Sequence, residues 1–338
     1  MWCVPARKES GLLLIPPRAS VGPAMPDPAP LVSAAAIAAA ATRIAPHVRR
    51  TPILRLAGRE LGLANPVTLK LELLQHAGSF KPRGAFNRAL RAEIPAAGLI
   101  AASGGNHGAA VAYAAHSLGV SAEIFVPTIT AQAKVDRIAS YGARVIQGGA
   151  TYQDALDACR IRQAETGALD IHAYDHPHVL EGQGTVGVEL EQDAPDLTHI
   201  LVATGGGGLI GGIAAWYSGR AKIISVEPEG CPTLHAALKA GLPTPAPVGG
   251  IAADSLGARQ VGALMFPIAQ AYVAETILVP DAAIEAAQKF LWNHLRLIAE
   301  PGGATALAAL LTGALDLPSD ARVGVILCGA NTDPRKAG

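Results

Sequence analysis

Lys81 sits in the segment Gly78-Ser79-Phe80-Lys81-Pro82-Arg83-Gly84-Ala85, among small and mostly apolar neighbours. An amine partly withdrawn from water holds its proton less tightly, which suits a lysine to Schiff-base or general-base chemistry. A lone lysine is more often a solvated surface charge; these neighbours set this one apart. A second feature is Thr204-Gly205-Gly206-Gly207-Gly208-Leu209, which follows a strand pattern and opens a helical one. Without Cβ atoms the backbone can curl until several N–H groups face one anion, and the following helix adds the positive end of its dipole. The run of glycines exceeds what a tight turn needs, so the loop reads as a phosphate cradle. The same residues permit another reading. Gly206, Gly208 and Gly211 spell GxGxxG and Glu227 ends the next strand, which is the layout of a dinucleotide site. A nucleotide-dependent oxidoreductase is therefore the alternative these glycines leave open.

Such groups need a scaffold, and the hydrophobic pattern supplies one. Strand patterns at Val67–Leu71, Leu99–Ala102, Glu123–Val126, Arg144–Gln147, Ile200–Ala203, Ile223–Val226 and Val323–Leu327 alternate with helical ones. The helical stretches are Ala34–Arg43, His107–Ser117, Ala131–Tyr141, Tyr152–Thr166, His178–Leu190 and Ala282–Leu297. This alternation predicts βαβ units and open parallel sheets, an α/β fold. Ligands in such folds collect beyond the carboxyl ends of the strands. Gly-rich loops stand there at Ser103–Gly108, Gly205–Gly208 and Gly329–Asn331, while Gly241–Gly250 reads as a surface loop.

The bulk composition narrows the class. Half of the 338 residues are hydrophobic and 16% are charged, enough for a sizeable core. Lys plus Arg equals Asp plus Glu at 27 each, so no basic excess points to nucleic acid or an anionic membrane. Aromatics at 4% are too few for a base-stacking platform. The four cysteines, Cys3, Cys159, Cys231 and Cys328, are far apart and form no CxxC pair, which fits a reducing cytoplasm. No apolar run reaches the length of a spanning helix. Residues 1–30 are expected to be a Pro-rich tail outside the fold, or a translation start placed too early with Met25 the true one.

The lysine segment resembles the cofactor-lysine motif of the fold type II pyridoxal phosphate (PLP) enzymes, in particular the threonine/serine dehydratase family. The resemblance continues in order along the chain, from about Arg50 to Asp333. Ser103-Gly104-Gly105-Asn106-His107-Gly108 is similar to the family's asparagine loop, Gly205–Leu209 to its phosphate-binding glycines, and Leu327-Cys328-Gly329-Ala330-Asn331 to the segment facing the pyridine nitrogen. Glu181-Gly182-Gln183-Gly184-Thr185 and Glu300-Pro301 match as well. The resemblance implies a tryptophan synthase β-like architecture, with two open twisted sheets flanked by helices and PLP in an interdomain cleft. It implies a large domain from residues 31–98 and 175–334 and a small domain from residues 99–174. Lys81 would hold PLP as a Schiff base and take the α-proton of a hydroxy amino acid. Phe80 would pack on the ring, Asn106 would bond its phenolic oxygen, and Gly205, Gly206, Gly207, Gly208 and Leu209 would hold the phosphate. A neutral Cys328 would face the ring nitrogen. Ser103, Gly104, Gly105, Asn106 and His107 would receive the substrate carboxylate. Loss of the β-hydroxyl, protonated through the cofactor phosphate, would yield a 2-keto acid and ammonia. A homodimer is expected on the same ground.

Departures from the family pattern sharpen the expectation. Serine racemases carry a second base where this chain has Gly104, which disfavours racemisation. The family's cation site uses an acid six positions after the strand-end glutamate; here Thr233 stands there, and no metal is expected. The usual Ala-Asp-Gly stretch reads Ala253-Asp254-Ser255-Leu256, which opens the substrate to relatives of threonine and serine such as a 3-hydroxyaspartate, a phenylserine or a hydroxyectoine-derived amino acid. Racemisation and β-replacement on the same fold remain the nearer alternatives. The chain ends shortly after Asp333, so neither a C-terminal effector domain nor isoleucine feedback is expected.

Overall fold

The computed structural model describes residues 32–336, and the reading of residues 1–30 lies outside them. Strands are β1 (Ile53–Leu56), β2 (Val67–Lys70), β3 (Leu99–Ala102), β4 (Ala122–Val126), β5 (Arg144–Gln147), β6 (Leu169–Asp170), β7 (His199–Ala203), β8 (Lys222–Pro228), β9 (Val273–Val279) and β10 (Val323–Ile326). Helices are α1 (Ala34–Ile44), α2 (Pro82–Leu90), α3 (Asn106–Leu118), α4 (Gln132–Ser140), α5 (Tyr152–Thr166), α6 (Pro177–Asp193), α7 (Gly208–Tyr217), α8 (Thr233–Ala240), α9 (Ala253–Leu256), α10 (Phe266–Tyr272), α11 (Asp281–Phe290) and α12 (Pro301–Leu311). They build a six-stranded sheet in the order β1-β2-β10-β7-β8-β9 and a four-stranded sheet in the order β5-β4-β3-β6. The expected α/β fold with two open sheets flanked by helices is the one observed.

The apolar runs became central strands because both faces of a parallel sheet are covered. Every residue of β2, β7 and β10 is buried. Strand β10 lies between β2 and β7, parallel to both, with Val325 opposite Leu69 on one side and Leu201 on the other. In the smaller sheet, β3 divides its side chains by the two-residue period of a strand. Leu99 and Ala101 pack with α3 residues such as Ala110, whereas Ile100 and Ala102 pack with Ala155 and Cys159 of α5.

Three strands carried no strand signal: β1, β9 and the two-residue β6 at the edge of the smaller sheet. Strand β1 is an antiparallel edge, and β9 is the opposite edge with Ala274 and Glu275 exposed. An edge strand needs no continuous apolar run, so its sequence reads as loop. The helix expected over Ala282–Leu297 is regular only to Phe290; it continues as a π-turn to Leu295 and stops at Arg296 with φ +56°.

Lys70 and Arg83 are fully buried between the strands and α6. Lys70 reaches Glu189 at 2.6 Å, and Arg83 reaches Glu72 and Glu189 at 2.7 Å each. Arg83 thus ties the head of α2, two residues beyond Lys81, to both neighbouring elements. Removing one member of a buried charge cluster strands the others, so the segment has little freedom to move.

Candidate active site

The lysine segment reaches its place through a tight turn. Ala77 (φ +55°) and Gly78 (φ +69°) reverse the chain, and Ser79 then bridges to Gly329 after β10. The Phe80 N–H donates to the Cys328 carbonyl, and Lys81 opens α2 with Pro82 at its first position, where the missing N–H costs nothing. Lys81 Nζ donates to the Ala173 carbonyl at 2.8 Å and lies 5.2 Å from the centre of the Phe80 ring. Burial pushes its pKa down to about 8, against the opposing pull of Cys328 and Glu300. The amine is therefore partly unprotonated near neutrality, as Schiff-base chemistry requires.

The glycine loop follows β7, and α7 starts from it. Gly207 has φ +88°, a conformation that favours glycine. A Cβ on Gly206 would lie 2.4 Å from the Tyr174 ring, and one on Gly205 would lie 2.7 Å from the Leu256 carbonyl oxygen. Among the described residues, no protein acceptor takes the N–H groups from Gly205 to Leu209. A curled run of free donors at a helix N-terminus is built for an anion.

Asn106 opens α3 after β3, and its amide is held from both sides. It donates to Glu300 and accepts from Asn331, each at 2.5 Å; Asn331 also donates to the Ala77 carbonyl. Burial raises the Glu300 carboxyl to about 7. Cys328 is buried, and its thiol donates to the Gly302 carbonyl at 3.4 Å. Burial first, and Glu300 second, push its pKa up, so the sulfur stays neutral. One pocket brings together Phe80, Lys81, Asn106, Gly205 through Leu209 and Cys328, with Tyr174, Ser255 and Glu300 beside them.

Of the remaining loop residues, Ser103 accepts the Gly105 N–H, and Gly104 faces Thr130, whose Cγ2 would stand 2.7 Å from a Cβ there. His107 is buried and bonded through Nε2 to the Ile171 carbonyl at 2.6 Å. Burial and then Lys81 lower its pKa to about 3, which keeps the ring neutral. Its observed contact is thus with the strand connection; of that loop, Asn106 lines the pocket of Lys81, and Ser103, Gly104, Gly105 and His107 do not.

Glu227 answers the nucleotide alternative. It is fully buried and accepts the N–H groups of Leu234 and His235, while Thr233 bonds both Glu227 and the Gly205 carbonyl. Its carboxylate caps α8 and props the glycine loop from behind, so it is not presented to a ribose. Sequence reasoning missed Tyr174 and Ala173, which no local motif marks. It noticed Glu300 within Glu300-Pro301 without a role, and Ser255 only as a departure. Their proximity to Lys81 comes from the chain crossing, not from spacing.

The residues fit PLP: a buried amine beside an apolar ring, a cradle of free N–H donors, an amide held for a phenolic oxygen and a thiol that stays neutral. A profile described as pyridoxal-phosphate dependent enzyme matches residues 44–329. An L-threonine ammonia-lyase of Geobacter sulfurreducens is 38% identical over 86% of this chain and 73% of its own length. A phenylserine dehydratase of Ralstonia pickettii is 35% identical over 91% of this chain and 95% of its own. A maize serine racemase structure superposes with a TM-score of 0.85 at 32% identity, covering 90% of this chain and 95% of that one. Motif, pocket and relatives agree, and the chain belongs to the family of pyridoxal-phosphate-dependent enzymes.

Proposed function

We propose that this enzyme is an ammonia-lyase of the threonine/serine dehydratase type, converting a 3-hydroxy amino acid to a 2-keto acid and ammonia by β-elimination. The observation that carries it is the Lys81 amine, with its lowered pKa, in one pocket with the N–H cradle and Asn106. Bound PLP supplies an electron sink that makes the α-proton of an amino acid acidic. The protein's residues do the rest. Lys81 would hold the group, and its Nζ, with a pKa lowered to about 8, would be the base for the α-proton. Gly205 to Leu209 bind the phosphate through their N–H groups, and Asn106 orients the ring from a side chain fixed by Glu300 and Asn331. Ser103, Gly104 and Gly105, at the head of α3, receive the carboxylate. Cys328, kept neutral by burial, would present a thiol and no anionic partner to the bound group.

Threonine, which the name of the Geobacter relative carries, and serine are the first candidate substrates, and phenylserine, from the name of the Ralstonia relative, is the next. Racemisation is disfavoured because Gly104 supplies no second base. Residues 99–174 are proposed to form the smaller lobe over this site, and a cytoplasmic homodimer to be the working unit. The cysteines of the described region, all free and buried, suit a reducing compartment.

The test is keto-acid release from a panel of hydroxy amino acids, with visible absorbance recorded on the wild type and Lys81→Ala. The expected result is a visible band and keto acid from the wild type, both absent in the variant. A band without keto acid overturns the elimination, and no band after PLP is added overturns the site.

A further inference from the structure

The turn between β6 and α6 touches both halves of the site, and His172 makes that turn. Its Nδ1 accepts the N–H of Tyr174 at 3.2 Å and of Asp175 at 2.8 Å. Both bonds need a lone pair on Nδ1, so they exist only while that nitrogen carries no proton. Each residue the imidazole gathers then makes a contact of its own. The Ala173 carbonyl accepts from Lys81 Nζ. The Tyr174 ring lies against Gly206, its Cβ and backbone lie against Gly208, and its hydroxyl donates to the Gln260 carbonyl. The Asp175 carboxylate accepts the N–H groups of Ala263 and Leu264, in the segment whose Gly262 N–H bonds the Gly206 carbonyl.

We infer that His172 is a positioning residue whose unprotonated Nδ1 holds the 172–175 turn, and through it the Lys81 amine and the glycine cradle, in the arrangement that binds the cofactor. The groups around the imidazole explain why it stays neutral. Burial is the largest influence and lowers its pKa. Asp170 on β6 and Asp175 in the turn itself oppose that effect, while Lys81 at the head of α2 and Arg160 on α5 reinforce it. His107 on α3 and His176 also feel its charge, and the Tyr174 ring meets it edge-on at 5.0 Å. A histidine with a depressed folded-state pKa contributes fully above the ordinary histidine range. Its contribution is lost as pH falls through the folded-state value. Cofactor affinity held by this turn therefore weakens in acid.

The inference rests on reading the pocket as a PLP site, so the experiment measures PLP binding itself. Dissociation constants for PLP are taken from visible absorbance across mildly acid to mildly alkaline pH for the wild type, His172→Asn and His172→Ala. An asparagine carbonyl oxygen bonds the N–H two residues on and does not titrate in this range. The expected result at alkaline pH is near-wild-type affinity for H172N and a loss of about tenfold for H172A, the scale of one to two lost hydrogen bonds. The second expected result is that wild-type affinity falls relative to H172N as pH drops. The titrations of Lys81 and of PLP are common to all three proteins, so they cancel in that ratio. A constant ratio between wild type and H172N, or H172A binding as tightly as wild type, overturns the role of His172. Failure of wild type to bind PLP at any pH overturns the site reading as well, and is told apart because it needs no variant. If H172A does not fold, the pH-dependence of the ratio to H172N decides alone.

Discussion

Glu300 keeps a carboxyl in the same pocket as a lysine amine without a salt bridge to it. Its Oε1 accepts the Asn106 amide, and burial holds its pKa up near 7. A carboxyl whose folded-state pKa is raised favours its protonated form. The fold therefore carries no penalty below the unfolded value of 4.5, and the penalty grows as pH rises until it levels off near 7. Glu300→Gln keeps an acceptor for Asn106 and removes the ionisation. In urea melts of the PLP-free protein, the stability of the variant relative to wild type should rise across that interval, by up to about 3 kcal/mol, and then stay level. A difference that ignores pH would show that Glu300 ionises freely. At this scale the sequence was legible wherever a motif is local. Lys81 and Asn106 each sit in a segment whose neighbours announce them. Tyr174, Ala173 and His172 do not, because their roles depend on a turn that only the packing of α6 and α7 brings beside the cradle.

Helices α6 and α7 cross at a distance that only glycine allows. A Cβ on Gly212 would lie 2.4 Å from the Leu180 carbonyl oxygen, and one on Gly184 would lie 2.8 Å from the Gly212 carbonyl. These are backbone atoms, which cannot step aside as a flexible side chain can. Gly212→Ala should therefore cost about 1–3 kcal/mol, the range for forcing one extra methyl into a packed core. Thermal melts would show it, with a weaker hold on PLP because α7 begins at the cradle. An unchanged melting temperature would mean that the helices separate freely. The interior strands could be read from sequence because burial on both faces demands apolar runs. Helix α12 could not: its opening Pro301-Gly302-Gly303 reads as loop, yet the helix is buried almost throughout and is held by its surroundings more than by its own propensity. Gly211 and Gly212 carry the opposite lesson. A pattern that fits a nucleotide loop is met here partly by the demands of helix packing, with the Gly211 Cβ position occupied by Met265 and Leu180.

Residues from elements beside both sheets line the site, and one ion pair links such elements close to it. Lys134 on α4, beside the smaller sheet, reaches Asp254 on α9, beside the larger one, at 2.5 Å. Asp254 is 77% exposed, so the pair contributes at most about 1 kcal/mol to stability. That small energy suits a contact that opens and re-forms as substrate enters. Ser255, the next residue, lines the pocket, and the Asp254 carbonyl lies near Gly105. Asp254→Asn should leave the melting temperature nearly unchanged and raise KM several-fold at low ionic strength, with PLP affinity unaffected because neither partner touches the cradle. Salt should reproduce the effect in the wild type and do little to the variant, since added ions screen an exposed pair over about 10 Å or less. If KM proves the same in both proteins at low salt, the pair is an ordinary surface contact, and substrate entry is governed instead by the buried contacts of Lys81 and Asn106.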